Sequence, residues 1–251
     1  MSLRIYRLLL AFMLTVLILP SVTAWAQECD PNAVAVATTP APPSNADGYG
    51  KYMASRALAS SDVGVVVLGD SIAEGWPIGK VEALFPGNKV LNLGIGGDRT
   101  QHVLWRMQQF RDVGMAPTEV LLIIGTNNLS QTDGACAILP GIDRILANAR
   151  DLWPEAHLTV FGIMPRGEAY KFKNEERIRV NGTLRATLAD WPETTFITSD
   201  ETLTCNQIDS ASVFVGDVEP QCNYYNRDKL HLTWEGYDFL GRLINATRTP
   251  S

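Results

Sequence analysis

The sequence predicts an α/β fold in which helices cover both faces of a five-stranded, mainly parallel sheet. Apolar runs and helix-like stretches alternate along the chain, as they do when each strand is followed by a crossover helix. The apolar runs are short and nearly continuous, which is typical of strands buried on both faces. With 251 residues, of which 46% are hydrophobic and 19% charged, the chain suits one globular domain.

Five runs rich in Val, Ile and Leu are predicted to be strands: Val63–Leu68, Lys89–Leu93, Glu119–Ile124, His157–Ile163 and Thr195–Thr198. Stretches with apolar residues at helical spacing are predicted to be helices: Thr100–Phe110, Ile142–Trp153, Glu175–Trp191 and Trp234–Thr247. In parallel sheets covered by helices, ligands bind beyond the carboxyl ends of the strands. Polar motifs that directly follow the first three strands are therefore expected to meet at one edge of the sheet.

The first 26 residues have the pattern of an export signal. Arg4 and Arg7 precede the apolar stretch Leu8–Leu19, and Ala24-Trp25-Ala26 is a small-residue cleavage site. The apolar stretch is shorter than the roughly 20 residues that span a bilayer, which argues against an uncleaved membrane anchor. We therefore expect a mature chain that starts at Gln27 and is periplasmic or secreted.

Two further segments are irregular in composition. Residues 27–50 are rich in Ala, Pro, Thr and Asn and are predicted to be a flexible leader to a single domain over residues 51–251. The segment Asp200–Arg227 is long and polar, and loops of this length are usually functional or disordered. It is interpreted either as an ordered rim of the ligand pocket or as a surface insertion.

The charge argues against one class of partner, and the cysteines indicate disulfides rather than a metal site. A net charge of −6 and the lack of any basic run argue against nucleic acid. An even number of cysteines in an exported chain suggests disulfides, and Cys205 with Cys222 is the favoured pair because both lie in one irregular segment. No metal or other cofactor is expected, since no Cys-x-x-Cys motif or histidine cluster occurs. The sequence does not specify an oligomeric state.

Four short motifs carry the side chains that are expected to do chemistry. Three of them follow predicted strands, and one lies near the end of the chain: Gly69-Asp70-Ser71, Gly94-Ile95-Gly96-Gly97-Asp98, Gly125-Thr126-Asn127-Asn128 and Asp228-Lys229-Leu230-His231. Together they supply a nucleophile, oxyanion donors, a base and a carboxylate. Acyl transfer through a serine ester needs these parts.

Ser71 is the predicted nucleophile, although a serine in this position is also typical of a helix N-cap. The backbone N–H groups of Ser71 and Gly97 and the side-chain amide of Asn127 are the predicted oxyanion donors. A tight turn is the alternative role for Gly97, and a helix cap is the alternative for Asn127. Arg99 stands where a dinucleotide-binding motif would have its third glycine, which argues against a phosphate loop.

His231 is the predicted general base, and Asp228 is the carboxylate predicted to orient it. A spacing of three places both side chains on one face if the segment is a helical turn. Metal binding by this pair is the alternative, but it lacks a third ligand. The other two histidines are weaker candidates, because His157 opens a predicted strand and His102 lies beside apolar residues of a predicted helix.

As a set, these residues resemble the SGNH (GDSL-type) hydrolase family. Ser71, Gly97, Asn127 and His231 match the four letters of that name, and Asp228 matches the usual acid of the triad. The resemblance covers residues 60–247 and is greatest to the catalytic subunits of intracellular platelet-activating-factor acetylhydrolases. The segments that carry it include Leu93-Gly94-Ile95-Gly96-Gly97-Asp98, His102-Val103-Leu104-Trp105-Arg106 and Pro165-Arg166-Gly167.

The resemblance implies a flavodoxin-like, three-layer α/β/α sandwich that hydrolyses small acyl esters without a metal. Together with the export signal, it leads us to expect an exported serine esterase that acts on short-chain, above all acetyl, esters of a carbohydrate or a lipid-like alcohol. The alternatives are an O-acetyltransferase acting on a glycan, a lysophospholipase or longer-chain esterase, and a non-catalytic glycan-binding protein. Ile72 replaces the leucine of the family motif, and the signal and the long segment before Asp228 depart from the intracellular enzymes.

Overall fold

The computed structural model describes residues 29–131, 134–198, 200–205 and 223–248. The strands are β1 (Val63–Gly69), β2 (Lys89–Gly94), β3 (Glu119–Ile123), β4 (His157–Phe161) and β5 (Thr194–Ile197). They form one sheet in the order β2-β1-β3-β4-β5, and every pair of neighbours is parallel. The predicted α/β fold with a five-stranded parallel sheet is confirmed.

The helices connect and cover these strands. They are α1 (Pro31–Thr38), α2 (Ala46–Leu58), α3 (Ser71–Glu74), α4 (Ile78–Leu84), α5 (Thr100–Gln109), α6 (Thr126–Ser130), α7 (Ala135–Leu152), α8 (Asn174–Leu188), α9 (Asp200–Leu203) and α10 (Trp234–Arg248), with a short 3₁₀ turn at Glu168–Tyr170. Among the described helices, none has the length and apolar character needed to cross a bilayer.

The sheet separates two hydrophobic cores, which explains why its strands are apolar throughout. Val66 and Leu68 of β1 pack with α5, α7 and α8 on one face. Val65 and Val67 pack with α4 and α10 on the other face. Because successive side chains of a strand point to opposite faces, a strand covered on both sides needs apolar residues at every position.

The first three strands end at the same level, and this aligns the loops that follow them. Gly69 at the end of β1 pairs in register with Gly94 of β2 on one side and with Ile123 of β3 on the other. The chain passes from β1 to β2 and then to β3 on the opposite side of β1. Such a switch point opens a crevice at the carboxyl ends of the strands, where ligands bind in open α/β sheets.

The predicted flexible leader differs from the structure, in which the described part of residues 27–50 is largely helical. Cys29 forms a disulfide with Cys136 of α7, with the two Cα atoms 5.5 Å apart. Ala37 of α1 is fully buried, and its carbonyl accepts a hydrogen bond of 2.8 Å from the Thr100 hydroxyl. Small side chains let α1 pack closely on α5 and α7, whereas composition alone suggested a linker.

Several expectations lie outside the described residues. They include the signal sequence within residues 1–28 and the middle of the segment Asp200–Arg227. The pairing of Cys205 with Cys222 stays a prediction, because Cys222 is not among the described residues. Helix α7 begins at Ala135 rather than at the predicted Ile142, and Pro140 lies within its first two turns, where it removes a backbone hydrogen bond.

Candidate active site

Ser71 lies at the first position of α3, directly after β1. The preceding residue, Asp70, is the N-cap, since its carboxylate accepts a hydrogen bond of 3.0 Å from the Ile72 N–H. This arrangement leaves the Ser71 hydroxyl free of a capping role. The end of β1 requires glycine, because Gly69 has a φ of +157° and approaches β3 so closely that a Cβ would lie 1.8 Å from the Ile123 carbonyl oxygen.

The structure brings Ser71, His231 and Asp228 together in one hydrogen-bonded line. The Nε2 atom of His231 lies 2.9 Å from the Ser71 Oγ. Its Nδ1 atom lies 2.7 Å from the Asp228 Oδ2. Residues 160 positions apart in the sequence therefore place a hydroxyl, an imidazole and a carboxylate in the geometry that serine catalysis needs.

The segment that holds Asp228 and His231 is an irregular turn rather than a helical one, and it still brings the two side chains together. Lys229 has a φ of +52°, a left-handed conformation that ends any helical path. The other carboxylate oxygen of Asp228 accepts hydrogen bonds of 3.0 Å from the N–H groups of Leu230 and His231. Burial raises the pKa of the Asp228 carboxyl, but these bonds and the one from the His231 ring hold it below its ordinary value.

The His231 turn is anchored by its neighbours on both sides. An antiparallel bridge joins Tyr225 to Leu232, and the Asn226 N–H donates a 2.8 Å hydrogen bond to the His231 carbonyl. The Tyr225 hydroxyl donates to the carbonyl of Pro165, in the loop after β4, at 2.7 Å. The imidazole is thus held by backbone hydrogen bonds, although it lies on a loop.

The loop after β2 lies against Ser71 and presents Gly97 to open space. A methyl group on Gly96 would lie 3.7 Å from the Ser71 Cβ, whereas one on Gly97 would meet no atom within 4 Å. Gly97 has a φ of +81°, which favours glycine. The Asn127 side-chain amide donates a hydrogen bond of 2.9 Å to the Asp98 carbonyl, so it lies beside the peptide that follows Asp98, one residue beyond Gly97.

Three hydrogen-bond donors lie in or beside this loop. Within the described residues, the N–H groups of Ser71 and Gly97 have no protein acceptor. Asn127 uses one amide hydrogen on Asp98 and keeps the second. Gly125, rather than Asn127, occupies the N-cap of α6. The arrangement can accept a negatively charged oxygen, as an oxyanion hole does.

A buried arginine connects the turn at residues 69–71 to the loop at residues 95–99, which carries Gly97 and is called the oxyanion loop below. Arg106 of α5 is 0% exposed, and its guanidinium pairs with the Asp98 carboxylate and donates a 3.0 Å hydrogen bond to the Gly69 carbonyl. Burial raises the pKa of Asp98, and the charge of Arg106 opposes this change. The sequence does not reveal this contact, because no spacing rule pairs an aspartate in a loop with an arginine two turns into the next helix.

Glu74 provides a second connection at the same place. One of its carboxylate oxygens accepts a 2.6 Å hydrogen bond from the Gly96 N–H. The other lies 2.7 Å from the Lys51 ammonium group of α2. The oxyanion loop is therefore held through Gly96, Asp98 and the Asn127 amide, and a helix that begins inside the predicted leader contributes to it.

The remaining histidines have structural surroundings. The Nδ1 atom of His102 accepts a 3.1 Å hydrogen bond from the Arg99 N–H at the start of α5. Burial, with the charges of Arg99 and Arg106, lowers the pKa of His102 to about 4, so its ring is neutral near pH 7. His157 lies at the first position of β4 and contacts the Thr195 hydroxyl at 2.9 Å. In the part of the chain that the structure describes, no group of three His, Cys, Asp or Glu side chains could hold a metal ion.

Comparison with known proteins identifies the family. The model of the GDSL-like lipase/acylhydrolase family matches residues 67–239. The chain is 35% identical over 170 residues to the platelet-activating factor acetylhydrolase IB subunit alpha1 of Rattus norvegicus, a match that covers 65% of this chain and 72% of the relative.

Two solved structures share the fold. One is a GDSL-like lipase from Bacteroides thetaiotaomicron, at a TM-score of 0.59 and 20% identity over 79% of this chain and 96% of the other. The second is the catalytic domain of peptidoglycan O-acetyltransferase A from Streptococcus pneumoniae, at a TM-score of 0.51 and 15% identity over 74% and 93%. With the family model covering most of the domain, the chain belongs to the GDSL-like lipase/acylhydrolase family and is a carboxylic ester hydrolase.

Proposed function

We propose that this protein is an exported serine esterase that removes short acyl groups, above all acetyl, from the alcohols of carbohydrates or lipid-like molecules. The observation that carries the proposal is the continuous hydrogen-bonded line from the Ser71 hydroxyl through His231 to Asp228. The roles of these residues follow from their atoms.

The Nδ1–H of His231 donates to Asp228, which leaves Nε2 as the acceptor for the Ser71 proton. As Ser71 Oγ attacks the ester carbonyl, this proton moves to Nε2, and the Asp228 carboxylate stabilises the resulting imidazolium. The imidazolium returns the proton to the leaving alcohol as the acyl-serine forms. Water then attacks the acyl-serine with His231 again as the base, releasing the carboxylic acid and restoring Ser71.

The tetrahedral intermediates carry a negative oxygen, for which the site offers three donors. These are the backbone N–H groups of Ser71 and Gly97 and the second amide hydrogen of Asn127. Their positions are held before substrate arrives by Glu74 and Arg106, so little reorganisation is needed during the reaction.

Two observations support export and the acetyl group. The Cys29–Cys136 disulfide is typical of an oxidising compartment, and the N-terminal sequence has the charge and apolar pattern of a signal. The named activity of the rat relative is an acetylhydrolase. Outside the cell, an acetylated glycan is the substrate we favour, and a lysophospholipid or longer ester is the second choice. An exported protein whose N-terminus is read by mass spectrometry should begin at Gln27.

The decisive experiment is hydrolysis of p-nitrophenyl acetate by the wild-type protein and its variants. We expect Ser71→Ala and His231→Ala each to lower kcat by about 10³-fold or more, since triad members act as a unit. His157→Ala is the matched control and should retain wild-type activity, because His157 lies at the opposite end of its strand from the site. Activity that survives Ser71→Ala would contradict the mechanism.

A second set of measurements addresses the acyl group and its acceptor. Acetyl, butyryl and octanoyl esters compared under one condition give the acyl preference, which we expect to fall with chain length. Release of free acetate in the presence of an added glycan supports the esterase, and acetylation of that glycan supports the O-acetyltransferase alternative.

A further inference from the structure

Arg166 is a cation near the site that belongs neither to the triad nor to the oxyanion donors. It lies in the loop after β4, five residues beyond Phe161, and is half-buried. Its backbone is tied on both sides, because the Phe172 N–H donates to its carbonyl at 3.1 Å and the next residue, Gly167, donates to the Lys229 carbonyl at 2.9 Å. Lys229 lies between Asp228 and His231, so the backbone at Arg166 is fixed against the His231 turn.

The guanidinium of Arg166 is also fixed. One of its terminal nitrogens donates a hydrogen bond to the hydroxyl of Ser130, which ends the α6 helix that carries Asn127. Its central carbon lies over the Phe172 ring, 4.2 Å from the ring centre, in a cation–π contact. The guanidinium thus contacts the helix that carries Asn127, and the backbone beside it is tied to the turn that carries His231. Among the described residues, most of its N–H donors have no acceptor.

The positive charge of Arg166 is poorly compensated. In the described part of the chain it forms no ion pair, and its buried Nε has no hydrogen-bond partner. Asp70 is the carboxylate that stabilises it from a distance, and burial raises the pKa of Asp70 to about 7, so this carboxyl is only partly ionised at neutral pH. Partly desolvated charges in proteins are normally paired, and a guanidinium is shaped to bind carboxylate or phosphate with two parallel hydrogen bonds.

We propose that Arg166 forms an anion subsite that binds a carboxylate or phosphate group carried by the alcohol part of the ester substrate. The proposal rests on the proposed esterase function and narrows its substrates to esters with a nearby negative group. In a protein with a net charge of −6, a local cation favours the approach of such a substrate.

The test compares matched pairs of esters that differ only in charge. The first pair is 4-acetoxybenzoate and its methyl ester. An O-acetylated uronic acid glycoside and an acetylated glycerol phosphate, each beside its neutral counterpart, distinguish a carboxylate on a sugar from a phosphate on glycerol. The measured quantity is the ratio of kcat/KM for the anionic ester to that for the neutral ester, at low and high salt.

We expect the wild-type ratio to exceed one, to fall with salt, and to drop by about 10- to 100-fold in Arg166→Gln, mainly through KM. Arg166→Lys should keep part of the preference, since it retains the charge and loses the planar fork. Arg179→Gln, which removes a surface charge on α8, should leave the ratio unchanged.

An unchanged ratio in Arg166→Gln, or an equal loss in Arg179→Gln, would overturn the subsite. If Arg166→Gln does not fold, the ratio in Arg166→Lys decides, because a value equal to that of the wild type at low and high salt contradicts bidentate binding. Failure of the esterase itself looks different: the wild-type protein would then hydrolyse neither member of any pair.

Discussion

At the scale of single residues, the Asp70 carboxyl couples folding to pH. It is 1% exposed and lines a small cavity of about 10 Å³, and its Oδ2 atom has no hydrogen-bond partner among the described residues. Burial raises its pKa to about 7, although the Ile72 N–H favours the ionised form. The folded protein therefore holds a proton that the unfolded chain releases near pH 4.

This proton makes stability fall as the pH rises from about 4 to about 7, by up to about 1.4 kcal/mol per pH unit for one group. Asp70→Asn keeps an oxygen to cap Ile72 and removes the ionisable group. We expect the variant to lose less stability than the wild type between pH 5 and pH 7, as measured by urea unfolding.

His102 changes stability with pH in the opposite direction to Asp70. The test therefore compares the pH dependence of stability in the wild type with that in Asp70→Asn. Its folded pKa of about 4 lies below the ordinary value, so the stability it contributes is present above about pH 6.5 and is lost as the pH falls. His102 is present in both proteins and cancels in the difference. Parallel stability curves for the wild type and Asp70→Asn would contradict the raised pKa of Asp70.

At the scale of secondary-structure elements, the contact between β2 and α3 holds Ser71 in place and depends on one glycine. A Cβ on Gly94 would lie 2.1 Å from the Glu74 backbone nitrogen and 2.6 Å from the Ala73 carbonyl carbon. We expect Gly94→Ala to push α3 away from the sheet, to lower the free energy of unfolding by about 1–3 kcal/mol, and to reduce kcat. Chemical denaturation and p-nitrophenyl acetate kinetics measure the two effects.

Gly182→Ala is the control for this substitution. Gly182 lies inside α8, and a Cβ there would meet no atom within 4 Å. Alanine is the better helix former, so this variant should gain about 0.5–1 kcal/mol. Equal stability of the two variants would show that the β2–α3 contact tolerates a methyl group.

The elements that could be predicted from the sequence are those that the sheet itself specifies. The runs at Val63–Leu68 and Lys89–Leu93 match β1 and β2 to within one residue, because a strand covered on both faces must be apolar throughout. Helix α1 could not be predicted, because its Ala- and Val-rich sequence forms only about two helical turns. Contacts with α7 and a disulfide hold it in place, and a local sequence pattern reveals neither of them.

The site was predictable in its residues and less so in its geometry. Ser71 and His231 follow from motif chemistry, and the sheet explains why the first three motifs meet. The left-handed Lys229 could not be foreseen, because tertiary contacts rather than local preference stabilise that conformation. The pairing of Arg106 with Asp98 depends on the angle between a helix and a loop, which spacing along the chain does not encode.

At the scale of the whole molecule, the Cys29–Cys136 disulfide joins the start of the described chain to α7 across 107 residues. A cross-link that closes a long loop restricts the unfolded chain, and removal of a native disulfide typically costs about 2–5 kcal/mol. We expect Cys29→Ser with Cys136→Ser to lower the free energy of unfolding by this amount, as measured by urea unfolding without reductant.

The single variant Cys29→Ser is the control for the cross-link, because it already breaks the bond and should match the double variant. A double variant as stable as the wild type would mean that helix packing alone holds α1 in place. The His231 turn and the disulfide lie in different parts of the chain. Esterase activity at low temperature should therefore persist in both the single and the double variant.

The contacts of α1 and α2 also bear on how the protein can be trimmed. The match to the family model starts at residue 67, yet the Ala37 carbonyl accepts a hydrogen bond from the Thr100 hydroxyl, and Lys51 pairs with Glu74, which in turn accepts from the Gly96 N–H. A fragment cut to the boundaries of the family match would retain Ser71, Asp228 and His231 but would lose the contacts from α1 and α2 that hold the oxyanion loop and α5. Recombinant versions, fusion junctions and transplanted domains should therefore begin ahead of Cys29, because the portion shared with relatives is smaller than the unit that folds.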